Sequence, residues 1–251
     1  MLTLGIPQQN LREYIAVVEA RAAADFDERK HNWRAFSSLA GTLEELVYLH
    51  SWAGSEAHRV KQCLKDATLA YAELISWINE SKATDRSDVS SCRTFRILSA
   101  AWILGEEDGA IRLATEIGDP PNAAYVGPKS EICRSDRQQF ALAIREFVVG
   151  SGSEALQRCR RVGALREDVA AWTTILNGIL QQTGERMPGA LQALVDSHER
   201  EAHRKKYPFN IEYGVCLEAL GLIAIALRRR LVDLEQLPQS QFLPYHLIQL
   251  T

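Results

Sequence analysis

Between Gly214 and Leu227 the chain carries a helix-length run with no polar face, and nothing else in the sequence limits the fold as strongly. Set at about 100 degrees per residue, Val215, Cys216, Leu217, Leu220, Leu222, Ile223, Ile225 and Leu227 spread round most of the circumference, with Glu218 the only charge. A helix of that kind has to be enclosed by other helices. Its fourteen residues rise only about 21 Å, short of the roughly 30 Å hydrocarbon core of a bilayer. The run therefore predicts an interior helix and not a membrane span.

The rest of the chain supplies the enclosure. Val60, Cys63, Leu64, Ala67, Tyr71, Leu74, Ile75 and Ile78 follow unbroken three-and-four spacing, which predicts one long amphipathic helix from about Ser55 to Glu80. Similar spacing recurs in Phe140, Ala143, Ile144 and Phe147, and in Val169, Trp172, Leu176 and Ile179. Thr42 with Glu45, Ser135 with Gln138 and Ser151 with Glu154 have capping-box spacing, and Pro188 suits a first helical turn. These place helix starts near residues 42, 136, 152 and 188. The phrase FRILSAAWILGEEDGAIRLATEIG, Phe95 to Gly118, reads as two apolar-faced helices joined at Gly105 to Gly109, and so short a link makes them antiparallel. Comparable pairs are expected at Phe140 to Val162 and Trp172 to Val195. No fixed period repeats and no strand-like alternation is sustained. The expected fold is all-α, an irregular stack of antiparallel helix pairs resembling a helical-repeat bundle, without a sustained β-sheet.

One all-helical domain over 1–251 is expected, with a weak division at 118–134. That stretch, GDPPNAAYVGPKSEICR, contains Pro120, Pro121 and Pro128, which exclude a regular helix. A loop of this length inside a helical domain is either functional or a connector between halves. A second break, Lys205 to Asn210, is expected to be a turn with Tyr207 and Phe209 tucked inward. The opening MLTLGIPQQNLREY lacks a basic start followed by an apolar run, so the cytoplasm is the expected location.

Catalytic and cofactor signatures are missing from the sequence. In SHEREAH the histidines, His198 and His203, are five apart, which puts them about 140 degrees from each other on a helix, whereas the zinc motif HExxH needs four. The expected placement is His198 on an inner edge and His203 among solvated charges. Five cysteines at irregular separations form no CxxC pair, so neither disulfides nor a structural zinc is expected. Cys133, in the 118–134 loop, is the thiol with the most exposed setting. No GxSxG elbow and no phosphate-cradling glycine motif occurs. Glu44 beside Glu45, and Glu106 and Glu107 beside Asp108, read as helix-start charges that favour the macrodipole. A net charge of -3 argues against affinity for nucleic acid. No enzyme activity, metal, cofactor or membrane contact is expected.

The last quarter also carries a family likeness. A leucine-patterned helix ending in a His-containing charged run, LQALVDSHEREAHRKK, is followed by CLEALGLIAIALRRRL and then LPQSQFLPYHLI. This succession resembles the C-terminal signature of the Imm49 family of bacterial immunity proteins, and the helix, GEED, helix phrasing from Leu104 to Ile117 adds a diffuse likeness. Arg230 stands where the family tends to glycine, at a position where a left-handed helix cap would strain an arginine. The resemblance implies a protein that binds one cognate toxin domain and covers its active site, with no chemistry of its own. The alternative from the residues is a helical-repeat scaffold that takes a peptide or partner helix in a groove. In an inhibitor the contacts belong on exposed loops. The candidates are Asp119, Asn122, Tyr125, Lys129 and Glu131 of the long loop, with the acidic turn Glu106, Glu107 and Asp108.

Overall fold

Residues 8–29, 32–81, 91–105, 107–117, 135–161, 167–204 and 213–248 are described by a computed structural model. Along them run ten α-helices and two 3-10 turns, and the described residues contain no strand. The helices are α1 Gln8–Glu28, α2 Trp33–Trp52, α3 Ala57–Ser81, α4 Ser91–Ile103, α5 Glu107–Glu116, α6 Ser135–Val148, α7 Gly152–Arg161, α8 Glu167–Gln181, α9 Met187–Arg204 and α10 Leu217–Arg228. The 3-10 turns are Leu234–Gln236 and Tyr245–Leu247. Helix pairs α4/α5, α6/α7 and α8/α9 are the three expected hairpins. The turn with inward aromatics expected at Lys205 to Asn210 lies outside the described residues.

Packing follows the apolar stripes. Helix α1 lies on α2, α2 on α3, and α3 on α5, while α4 packs against α5, α6 and α10. In α3 the buried side chains Val60, Leu64, Ala67, Tyr71, Leu74, Ile75 and Ile78 turn one face to the core, and Gln62 and Lys65 stay exposed. Every residue from Ala219 to Ala226 of α10 is buried. Its enclosure has three sides: α4 as the main neighbour, α8 and α9 beside it, and the tail, whose Phe242 carbonyl accepts the Cys216 N–H at 2.9 Å. The absence of a polar face on this helix is thus met by burial all round. Between α4, α6 and α8 the rings of Phe95, Phe140 and Trp172 meet, Phe140 edge-on to Phe95 at 5.1 Å and stacked with Trp172 at 5.3 Å.

One expected helix start is corrected. Helix α2 begins at Trp33, so Thr42 and Glu45 lie in mid-helix and cap nothing. Their side chains hold α1 instead: Thr42 Oγ1 accepts from Arg21 Nε at 3.1 Å, and Glu45 accepts from the Tyr14 hydroxyl at 2.7 Å and from Arg21. The spacing S/T-x-x-E serves a cap only when the backbone donors ahead of it lack helical partners. The other three starts agree with the structure. Ser135 opens α6, Ser151 precedes α7 with its carbonyl accepting the Ala155 N–H at 3.0 Å, and Pro188 is second in α9.

The end of α10 is a Schellman cap built on an arginine. Leu231 N–H donates to the Ala226 carbonyl and Arg230 N–H to the Leu227 carbonyl, both at 2.9 Å, with Arg230 left-handed at φ 56. Glycine is the usual residue at that position because it has no Cβ to clash. Replacing Arg230 with glycine is expected to stabilise the fold by about 1 kcal/mol, read as a rise in the urea midpoint without a change of slope. The chain beyond the cap is wedged against the turn between α8 and α9, where a Cβ on Gly184 would lie 1.7 Å from the Leu231 carbonyl oxygen. Only glycine lets the two backbones approach so closely.

Candidate functional site

Helix α5 positions the part of the candidate contact surface that the structure describes. Its inner face, Ala110, Leu113 and Ala114 with Ile117 just beyond, is buried against α3 and α4. Gly109 permits the close approach, since a Cβ there would already touch Thr68 Cγ2 at 3.5 Å. The outer face is Asp108, Ile111, Arg112 and Thr115, all exposed and spaced one helical turn apart or less. Of the expected contact residues, Asp108 therefore projects outward on the first turn of α5, and Glu107 opens that helix. Glu106, Asp119, Asn122, Tyr125, Lys129 and Glu131 lie outside the described residues, as does Cys133. The turn between α4 and α5 abuts the end of α10, because a Cβ on Gly105 would come within 3.4 Å of Arg228 Nη2.

Two clusters of titratable groups were not expected. The first is centred on Glu44, which is only 2% exposed. Its Oε1 accepts from Tyr48 at 2.9 Å and from Arg96 at 2.8 Å, and its Oε2 accepts from Tyr71 at 3.0 Å, so α2, α3 and α4 meet at one carboxylate. Glu44 is thus a buried hub and not a helix-start charge. The sequence does hold a faint signal of it: Glu44 stands at helical spacing from the apolar Ala40, Val47 and Tyr48, an unusual setting for a charge. Burial pushes the Tyr48 hydroxyl well above its usual range. The phenol stays protonated and acts as a donor to the carboxylate.

In the second cluster His50, at the end of α2, has Nδ1 3.1 Å from Ser55 Oγ and Nε2 3.2 Å from Glu19 Oε1, and Arg59 reaches the same Glu19 oxygen at 3.1 Å. Serine, histidine and carboxylate in this order form a proton relay in principle. The local backbone gives the contact a structural origin. Gly54 is left-handed and Ser55 N–H donates to the His50 carbonyl at 3.0 Å, so Ser55 and His50 occupy the two Schellman positions whose side chains ordinarily touch. A polar pair has replaced the usual apolar one, and it ties α1 to α2 and α3.

His198 behaves as expected of an inner-edge residue. Its Nε2 lies 3.0 Å from the Tyr213 carbonyl oxygen, and its ring packs 5.2 Å from that of Phe242, while His203 is exposed. Burial lowers the pKa of both His198 and His50; for His50 the neighbouring Arg59 adds to the lowering against Glu19, and for His198 Glu218 and Glu199 oppose it while Arg96 assists. The unfolded chain takes up these protons near pH 6.5, whereas the folded one resists them until lower pH. Stability contributed by the neutral imidazoles is therefore complete above about pH 6.5 and declines as the pH falls below it. Urea midpoints at pH 7.5 and 5.5 test this, and the pH 5.5 loss should shrink in His198→Gln.

Among the described residues no three His, Cys, Asp or Glu side chains come together to hold a metal ion. Burial raises the thiols of Cys63 to about 11 and Cys159 to about 12, and Cys216 well above its ordinary value. None of these three is a ready nucleophile at neutral pH. No helix among the described residues is long and apolar enough to cross a membrane. No family model, curated protein or solved structure matches this chain.

Proposed function

We propose that this chain is an immunity-type inhibitor that binds a cognate bacterial toxin domain and covers its active site, without a catalytic step of its own. The observation that carries the reading is the internal coherence of the segment with the family likeness. Helix α9, the enclosed α10 and the tail lock together through His198 with Tyr213 and Phe242, and through the Cys216 to Phe242 hydrogen bond. A rigid body of this kind leaves recognition to its exterior. The outer face of α5 supplies the charged groups Asp108 and Arg112 and one apolar side chain, Ile111, which is 43% exposed. Charged contacts of that sort steer encounter and set partner choice.

The experiment is rescue. The toxin domain encoded next to this gene is expressed in bacteria with and without the chain, and the purified pair is tested for co-elution. Survival together with a stable complex supports inhibition; toxicity unchanged by the chain refutes it. The successive hairpins α4/α5, α6/α7 and α8/α9 favour a second reading, a scaffold for a peptide or partner helix in a groove. Binding of an isolated short peptide as tightly as a folded partner would select that reading.

A further inference from the structure

Helix α1 packs principally on α2, and the side chains it buries there are Leu11, Ile15, Val18 and Ala22. Beneath them runs an apolar stripe of α2. Thr42 faces α1 through Arg21, and the buried Leu39, Leu46 and Leu49 stand three, four and seven residues from it on the same side. Polar tethers accompany the apolar contact: Tyr14 and Arg21 reach Glu45, the Ser38 hydroxyl donates to Asp25 Oδ2 at 2.6 Å, and Glu19 meets His50 and Arg59. The outer side of α1, Ala16, Val17, Ala20 and Ala24, is exposed, so this helix is a strap laid over the surface of the stack.

One tether turns on a side chain that titrates near neutrality. The His50 imidazole is only 2% exposed, and Glu19 Oε1 stands 3.2 Å from its Nε2 and 3.1 Å from Arg59 Nη2. A single carboxylate oxygen therefore serves both. The neutral ring fits this setting with its proton on Nε2, donating to Glu19, while Nδ1 accepts from the Ser55 hydroxyl at 3.1 Å. A charged ring gains no second carboxylate and shares the one it has with a guanidinium, out of water. The groups that face it are Glu19 from α1, Arg59 from α3 and Ser55 from the turn between α2 and α3; Cys63 of α3, near the same Glu19, is a thiol that burial raises to about 11 and so keeps neutral. We propose that α1 is an acid-released strap: a proton on His50 is best accommodated when α1 lifts from α2 and admits water to the ring, so acidification uncovers the leucine stripe beneath. Burial, with Arg59 adding to it and Glu19 opposing, holds the imidazole below its usual 6.5 while α1 is docked. A lifted α1 leaves the ring in water near that usual value. Docking is thus fully favoured above about pH 6.5 and loses ground as the pH falls below it. The device is a property of the fold and stands apart from the inhibitor reading.

Hydrogen exchange read by mass spectrometry on the full chain at pH 7.5, 6.5 and 5.5, corrected for the intrinsic pH dependence of amide exchange, tests the strap. Amides of α1 are expected to lose protection several-fold from pH 6.5 to 5.5, by no more than about tenfold per pH unit, the limit for one proton. Those of α3, α4 and α10 are expected to change less. In His50→Gln the protection of α1 is expected to be equal at pH 6.5 and 5.5. In Arg59→Met the loss is expected to shrink, because Glu19 then serves the imidazolium alone, whereas a merely structural contribution of Arg59 would loosen α1 equally at every pH. Arg59→Met also keeps the test decisive if His50→Gln fails to fold. Unchanged α1 protection in the wild type, a loss as large in either variant as in the wild type, or a loss spread evenly over all helices overturns the strap.

Discussion

Replacing Glu44 with alanine is expected to cost about 3 kcal/mol, the lower end of the range for breaking a buried ion pair. The substitution removes the one carboxylate that accepts from three donors, the Tyr48 and Tyr71 hydroxyls and the Arg96 guanidinium, in a region shared by α2, α3 and α4. Arg96 retains 19% side-chain exposure, so water relieves part of its loss, and the lower end follows from that. In a chain of this size the change corresponds to a fall in Tm of roughly 6–12 °C. A double-mutant cycle with Arg96→Met isolates the pair. Removing the cation should restore part of the stability that Glu44→Ala loses, and strictly additive losses would show that the carboxylate is not the hub described.

Phe140→Ala is expected to cost about 3–5 kcal/mol, the usual range for deleting a buried aromatic ring. Phe140 is fully buried and touches both Phe95 and Trp172, so the cavity opens where α4, α6 and α8 converge. Part of the loss comes from the edge-on and stacked ring geometry, which contributes about 0.5–1.5 kcal/mol per pair beyond area burial. Phe140→Leu fills most of the space and should lose clearly less. Chemical denaturation of the two variants gives the comparison, and equal losses would assign the effect to ring geometry alone rather than to volume.

The long helix α3 and the three hairpins are legible in the sequence because each reports a local property, a face repeating every three or four residues with a short link. The enclosure of α10 is legible for the same reason, since a helix without a polar side has one solution. Glu44 is different. Periodicity assigns a charge to solvent by default, and only the arrival of Tyr71 and Arg96 from other helices makes burial tolerable. Thr42 and Glu45 misled for a related reason: the same side chains that cap a helix start also reach a neighbouring helix. The strained cap at Arg230 is suggested only by the resemblance to a family that tends to glycine there, since periodicity does not report a left-handed residue.

The pairing of α10 with α4 sets a schedule for the newborn chain. The apolar side of α4 that α10 will cover leaves the ribosome first, and α5 to α9 are all translated before its cover arrives. Until then that side stays wet and sticky, a state that invites chaperone capture. Closure of the molecule is thus a late event in synthesis, one that waits for α10 to emerge and dock on α4.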